Sequence, residues 1–270
     1  MTSFSRYRIR PGARVALDRW DPGDTGGFRG GKDAGEHRMG KLTAKLERLQ
    51  ELLYADHRFS LLVVLQGMDS AGKDGTIRRV FAGVNPEGVR VASFRQPTEE
   101  EHDHDFLWRV HAQLPGRGEI VLFNRSHYED VLVTRVHGWI PRTVWERRYR
   151  EINDFEREIS EEGTTVIKFF LHISRGEQKR RLEDRLRDPT KHWKFRESDV
   201  LERERWPAYL RAYEEALSKT STSWAPWYIV PSNHKWYRDL VVSDRIVHAL
   251  GRLHMRYPSL LPAYRRLRVR

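Results

Sequence analysis

The chain has 270 residues, 39% of them hydrophobic and 32% charged, with no cysteine. That length suits one large domain, the composition argues against collagen and disorder, and the lack of cysteine excludes disulfides, thiolate metal sites and a cysteine nucleophile. Lys and Arg number 49 against 38 Asp and Glu, a net charge of +11, which points to a polyanionic partner: nucleic acid, a membrane surface or a phosphate-rich small molecule. The first residues lack the apolar region of a secretory signal, and no run approaches the roughly 20 apolar residues of a spanning helix. A cytoplasmic protein without a membrane segment is expected.

In chain order, residues 21–40 hold seven glycines and a proline among charges, the composition of a loop or linker. From Lys41 to Asp56, Leu42, Leu46, Leu49 and Leu53 recur at threes and fours, predicting an amphipathic helix. Ser60 to Gln66, SLLVVLQ, is a continuous apolar run suited to a strand buried on both faces. Further strands are predicted at Val89 to Phe94, Glu119 to Phe123, Thr165 to Ile173 and Trp227 to Val230. Helical patterns separate or follow them: 73–82, 100–113, 126–136, 142–161, 176–187, 199–217 and 235–254. Strands alternating with helices of this length imply right-handed βαβ units and an α/β fold with a doubly wound parallel sheet.

Directly after the first buried strand stands Gly67 to Lys73, GMDSAGK, which is G-x-x-x-x-G-K between a strand and a helix. There the loop amides and helix N-terminus face an anion, and the lysine reaches a transferred phosphate. Asp74 follows the lysine where a Ser or Thr hydroxyl would hold Mg²⁺. If a metal takes part, a carboxylate must replace that hydroxyl, and Asp69 is best placed. An acid inside a phosphate cradle repels its ligand unless a cation intervenes. Asp74 reads as a helix-start acid.

The strand Glu119 to Phe123 runs into Asn124-Arg125-Ser126-His127-Tyr128-Glu129. Ligands of open α/β sheets bind beyond the carboxyl ends of the strands, so Arg125 is expected as a phosphate fork. For Glu129 two readings stand: a ligand-facing carboxylate, or half of a capping box with Ser126. Thr98 and Glu101 have the same spacing and read as a cap only. His102 and His104 fall on different faces of a helix, which argues against a metal site with His111. Arg109 either points toward an acceptor phosphate or is an exposed helix arginine.

From Arg175 to Arg205 come eleven Lys or Arg and eight Asp or Glu, interrupted at Asp188-Pro189. A basic helix broken by proline and resuming at Asp199 has the arms and hinge of a phosphate-covering lid, with Arg181, Arg185, Lys191 and Lys194 as candidate contacts. An ordinary solvated helix with i,i+4 pairs such as Glu177 with Arg181 would look similar. Trp145, Trp206, Trp227 and Trp236 are expected in the core, and Trp193, in the lid, as a surface for a base.

Taken in order, YRIRPGARVAL, LQGMDSAGKDG, HDFLWRVH, FNRSHYEDVLVTRVHG, EQKRRLEDRLRDPTKHWKF, TSTSWAPWYIVP and KWYRDLVVS make the chain resemble the polyphosphate kinase 2 family. The resemblance implies a P-loop kinase domain over 41–270, with a thymidylate-kinase-like core of about five strands and a helical lid near 175–200, preceded by an extension over 1–40. It implies reversible, Mg²⁺-dependent phosphoryl transfer between inorganic polyphosphate and purine nucleotides, in a homo-oligomer, a dimer or tetramer. Carried over by position, Asp69 is the loop carboxylate and metal ligand, Lys73 the loop lysine and Arg125 the catalytic arginine at the third strand tip. Gly67, Gly72 and Lys73 with Arg181, Arg185, Lys191 and Lys194 would meet polyphosphate; Asn124, Glu129 and Arg109 would meet the nucleotide. Members often carry Asp at the position of Asn124. Asn124 with Glu129 resembles the third subclass, which acts on nucleoside mono- and diphosphates such as AMP and ADP. An ATP-dependent nucleoside monophosphate kinase is the runner-up. A nucleic-acid module, using the excess charge and the tail Arg265 to Arg270, would leave the phosphate loop without a purpose.

Overall fold

The computed structural model describes residues 3–262, 264, 267 and 268. Arg265, Arg266 and Arg270 of the basic tail thus lie outside the described residues. The five expected strands form a single parallel sheet: β1 (Ser60–Gln66), β2 (Val89–Ser93), β3 (Ile120–Asn124), β4 (Thr164–His172) and β5 (Trp227–Pro231), in the order β2-β3-β1-β4-β5. Every residue of β1 and β5 is buried, as sheets covered on both faces require. β1 lies between β3 and β4, so the chain crosses over it and opens a crevice at its carboxyl end.

The helices are α1 (Gly31–Asp56), α2 (Lys73–Val80), α3 (Glu99–Asp103), α4 (Trp108–His111), α5 (Val133–Val136), α6 (Arg142–Glu161), α7 (Arg175–Arg187), α8 (Glu197–Glu204), α9 (Trp206–Thr220) and α10 (Lys235–Gly251). None of the described helices is long and apolar enough to cross a membrane. Helix α1 packs on α10, which also meets α2, β4 and β5. Helices α6 and α9 pack together over β4, where Phe170 meets Tyr213.

Three departures from the sequence reading have local causes. Helix α1 begins at Gly31, ten residues before the expected start, so half of the glycine-rich stretch is helical. Gly35 serves contact there: a Cβ would sit 2.5 Å from Trp236 Cε3, and Gly35, Met39, Leu42 and Leu46 make one buried stripe. The helix expected over 100–113 divides into α3 and α4, because the Asp105 carboxylate accepts the Leu107 N–H at 2.9 Å and diverts the backbone. The helix expected over 199–217 divides at Arg205, with Pro207 in the first turn of α9, where its missing N–H is tolerated. Residues 3–30 run across β5, α9 and α10: the Ile9 N–H donates to Trp227 O at 2.9 Å, the Val15 N–H to Ser218 Oγ at 2.8 Å and the Gly27 N–H to the Tyr237 hydroxyl at 2.9 Å, and Phe4, Tyr7, Ile9, Val15 and Leu17 are buried.

A charged network lies behind the third strand tip. Lys168 and Glu156 are wholly buried and paired. The Lys168 ammonium also donates to the Tyr128 hydroxyl at 2.8 Å and to Thr220 O at 2.7 Å, filling its three donors. Tyr128 in turn donates to Glu156 Oε1 at 2.9 Å, and His127 Nε2 lies 3.2 Å from the same oxygen. Burial brings Lys168 down to about 8. For Glu156 burial acts upward, and Lys168 and His127 outweigh it. Removing one member strands a buried charge. Glu156→Gln is expected to cost roughly 3–5 kcal/mol in urea unfolding, with much of the loss recovered when Lys168→Met is added. Additive single and double variants would show that the pair is not coupled.

Candidate active site

The phosphate loop leaves β1 at Gly67, where a Cβ would meet Leu171 O at 2.9 Å. Ser70 adopts φ 65° and Gly72 φ 107°. α2 starts at Lys73 with Gly72 as its N-cap, so the first helical amides border the loop, where an anion is stabilised. Lys73 turns back on the loop and donates to Gly67 O at 2.7 Å. Burial, then Arg125, lowers its proton affinity, against the pull of Asp69, Glu129 and Asp74.

Arg125 follows β3 in a left-handed conformation, φ 63°, which is costly for a side chain of this size. Its N–H donates to Leu65 O at 3.1 Å, and its Nη2 to Asp69 Oδ1 at 3.0 Å. Burial works against its charge, while Glu129 and Asp69 more than offset it. Glu129 is held above the usual carboxylate range by burial, with Arg125 and Lys73 pulling it down. Asp69, Lys73, Arg125 and Glu129 therefore act on one another, as expected from their places at neighbouring strand tips. The Asn124 amide donates to the Asp74 carboxylate, drawing into the site an acid that the sequence reading left as a helix-start residue.

The two capping readings separate. Thr98 and Glu101 form the full reciprocal box. Ser126 Oγ accepts the Tyr128 N–H at 3.2 Å and the Gln66 amide at 3.1 Å, while Glu129 faces Arg125 and Lys73. Arg109 is 8% exposed and so is not the exposed arginine considered above. It donates to Glu101 Oε2 at 2.9 Å and to Arg95 O at 3.0 Å, and lies over the Phe94 ring. With its fork engaged there, Arg109 braces the α3–α4 turn.

The segment expected as a lid consists of α7, a 3₁₀ turn over Pro189–Lys194 and α8. Arg185 pairs with Asp199 at 3.0 Å, Lys191 pairs with Asp188, and the Lys194 ammonium lies 4.7 Å from the centre of the Trp193 ring. Trp193 is 78% exposed. Trp206 and Trp227 are in the core and Trp145 and Trp236 pack against it, as expected. Arg181, expected to meet polyphosphate, is buried and donates to Glu177 and to four main-chain carbonyls, two of them in the phosphate loop.

Asp199 was missed by sequence reasoning. Burial and Asp69 raise its proton affinity, against Arg185, Arg196 and Arg125, so this lid acid shares the field of the loop. Gln178 also escaped notice, although its amide donates to Asp69 O at 3.0 Å. Gln178 lies in the EQKRRLEDRLRDPTKHWKF stretch and Asp199 just beyond it, but only the return of this segment over the loop singles them out. Among the described residues, no three His, Asp or Glu side chains form a metal cage.

A parallel sheet with a glycine-flanked loop at the tip of its central strand, cations on that loop and the next strand tip, and a jointed basic helical segment beside them define a P-loop kinase. A family model described as Polyphosphate kinase 2 (PPK2) matches residues 29–258, and the chain belongs to that family. It is 56% identical over 256 residues to an AMP/ADP-polyphosphate phosphotransferase of Meiothermus ruber, covering 95% of this chain and 96% of the relative. It is 41% identical over 273 residues to an ADP-polyphosphate phosphotransferase of Rhodopseudomonas palustris, covering 97% and 94%. Polyphosphate Kinase 2 from Arthrobacter aurescens, known from a crystal structure, superimposes with a TM-score of 0.93 at 43% identity, covering 96% of this chain and 93% of that one.

A side chain at Gly72 is strained by its φ of 107° and would displace the Arg238 guanidinium, since its Cβ would fall 2.0 Å from Arg238 Nη1. Gly72→Ala is expected to lower stability by about 1–3 kcal/mol and to abolish most phosphoryl transfer. A variant with wild-type melting temperature and turnover would show that the loop is not held in this form.

Proposed function

We propose that this chain transfers the terminal phosphoryl group of inorganic polyphosphate to AMP and ADP, in either direction. The observation that carries the reading is the convergence of Lys73, Arg125 and Asp69 at the phosphate loop. It occurs in a chain similar over nearly its full length to an AMP/ADP-polyphosphate phosphotransferase.

The acceptor oxygen belongs to a phosphate already ionised, so the reaction needs no strong general base. Catalysis rests on alignment and charge neutralisation. On binding, Lys73 exchanges Gly67 O for a phosphate oxygen, and Arg125 turns part of its fork from Asp69 to the transferred group. Both cations are already in place and partly buried, which strengthens their action on developing charge. Arg185, Lys191 and Lys194 supply the lid's charge toward the donor chain, and Asn124 and Glu129 border the acceptor.

The donor set suits Mg²⁺, which takes one or two carboxylates and completes its shell with phosphate oxygens and water. Asp69, whose side chain is 26% exposed at the loop, would hold the ion, with Glu129 as the second acid. Bound there, Mg²⁺ would supply charge neutralisation for the phosphates. Asp69 already lies against Arg125 and orients it.

Lys73→Ala is expected to reduce transfer from polyphosphate to AMP about a hundredfold or more, with a melting temperature near that of the wild type. Near-normal turnover would overturn the assignment. A polyanionic donor also predicts that its KM rises steeply with salt through counterion release. A donor KM flat between low and moderate ionic strength would count against a polyphosphate track.

A further inference from the structure

We infer that Arg181 and Arg238 are positioning residues for phosphoryl transfer: two buried guanidiniums grip the carbonyl edge of the phosphate loop from beneath, so that its amide edge faces the substrate. Arg181 also joins this grip to the lid. The inference rests on the activity proposed above and concerns residues that do not themselves touch the phosphates.

Arg181, on α7, is 7% exposed, and Arg238, on α10, is 3% exposed. Arg181 Nη1 donates to Ser70 O at 3.0 Å and Ala71 O at 2.8 Å. Its Nη2 donates to Ser232 O at 2.5 Å and Asn233 O at 3.2 Å, and its Nε to Glu177 at 2.6 Å. All five N–H donors of the side chain are thereby engaged, leaving none for a donor chain. Arg238 reaches the same Ala71 carbonyl at 3.2 Å, with its Nε on Asp239 at 2.8 Å.

Two buried cations on one carbonyl repel each other, and burial first, with Arg238 among the other contributors, lowers the proton affinity of Arg181. What they hold is the Ala71–Gly72 peptide. In a trans peptide the N–H lies opposite the C=O, so fixing Ala71 O downward turns the Gly72 N–H to the upper edge, beside the start of α2. Hydrogen bonds in series polarise one another, and two guanidiniums on the carbonyl make that amide a stronger donor. Arg238 Nη1 occupies the space a side chain at Gly72 would need, so the glycine and the arginine are one device.

The lid enters through Arg181. Helix α7 carries it at the root of the segment whose far arm brings Asp199 into the field of Asp69 and Arg125. Displacing α7 would withdraw the support of Ser70 O and Ala71 O together. Lid position and loop readiness are therefore coupled through one side chain.

The test compares wild type with Arg181→Lys and Arg238→Lys, each of which keeps the charge and loses the fork. Amide hydrogen exchange at residues 70–73 is measured without substrate, and AMP and long-chain polyphosphate kinetics across a salt series. In both variants the loop amides are expected to exchange about tenfold faster. At saturating polyphosphate kcat should fall about tenfold or more, with the AMP KM within about twofold and the salt slope of donor binding unchanged. For Arg181→Lys, a raised donor KM with kcat restored at saturation and a shallower salt slope would overturn the proposal in favour of direct contact. A lower melting temperature with normal kcat and unchanged loop exchange would reduce both residues to structural parts, as would failure of both variants to fold. A wild-type protein making no ADP from AMP and polyphosphate would sink the proposed activity instead, and loop exchange would still decide the positioning role.

Discussion

Lys73 and Arg125 must be concentrated at the carboxyl edge of β1 and β3 without driving each other apart, and the rest of the site follows from how that repulsion is contained. The contact between Arg125 and Asp69, at 3.0 Å, is its centre. Around it Lys73 rests on a main-chain carbonyl, Glu129 lies in the field of both cations, and Arg185 is matched by Asp199. Each of these cations is held by an internal partner, and under the proposed activity binding exchanges that partner for phosphate oxygens. Preorganised charge of this kind is the form of stabilisation that phosphoryl transfer uses most.

The fold supplies the restraint that such a cluster needs. Arg125 is kept in a left-handed conformation by its bond to Leu65 O. Just beyond it His127 and Tyr128 enter the closed Lys168–Glu156 network, which binds the segment after β3 to α6, β4 and α9. Below the loop Arg181 and Arg238 perform a similar task for the main chain. Buried charges are costly in themselves. Here they fasten irregular backbone where no helix or strand would fix it.

Much of the framework was legible because it follows from short-range pattern. The apolar run Ser60 to Gln66 specifies a strand buried on both faces, and the GMDSAGK that follows has little use except as a phosphate cradle. What escaped depends on partners distant in sequence. Gly35 reads as a loop residue until Trp236 is seen against it. Arg109 and Arg181 look like free cations in a basic stretch, and only the fold shows Glu101 and Arg95 O around the first and the loop carbonyls around the second. Arg238 stands in the KWYRDLVVS stretch and Asp199 at the start of a helical pattern, but nothing in either pattern marks the residue itself, and their importance arises from where α10 and the basic segment 175–205 come to rest. The excess charge of +11 likewise divides only in three dimensions, into cations that face the site and cations that hold the chain together.

The most direct measurement of the central claim is ³¹P NMR of the protein with AMP, long-chain polyphosphate and Mg²⁺, with ATP left out. A polyphosphate-dependent phosphotransferase built on this charge cluster should give the ADP β-phosphate resonance, followed by the ATP resonances, at the expense of polyphosphate end groups. If AMP is phosphorylated only after ATP is added and the polyphosphate signal stays constant, the cluster serves a nucleotide donor and the account is wrong.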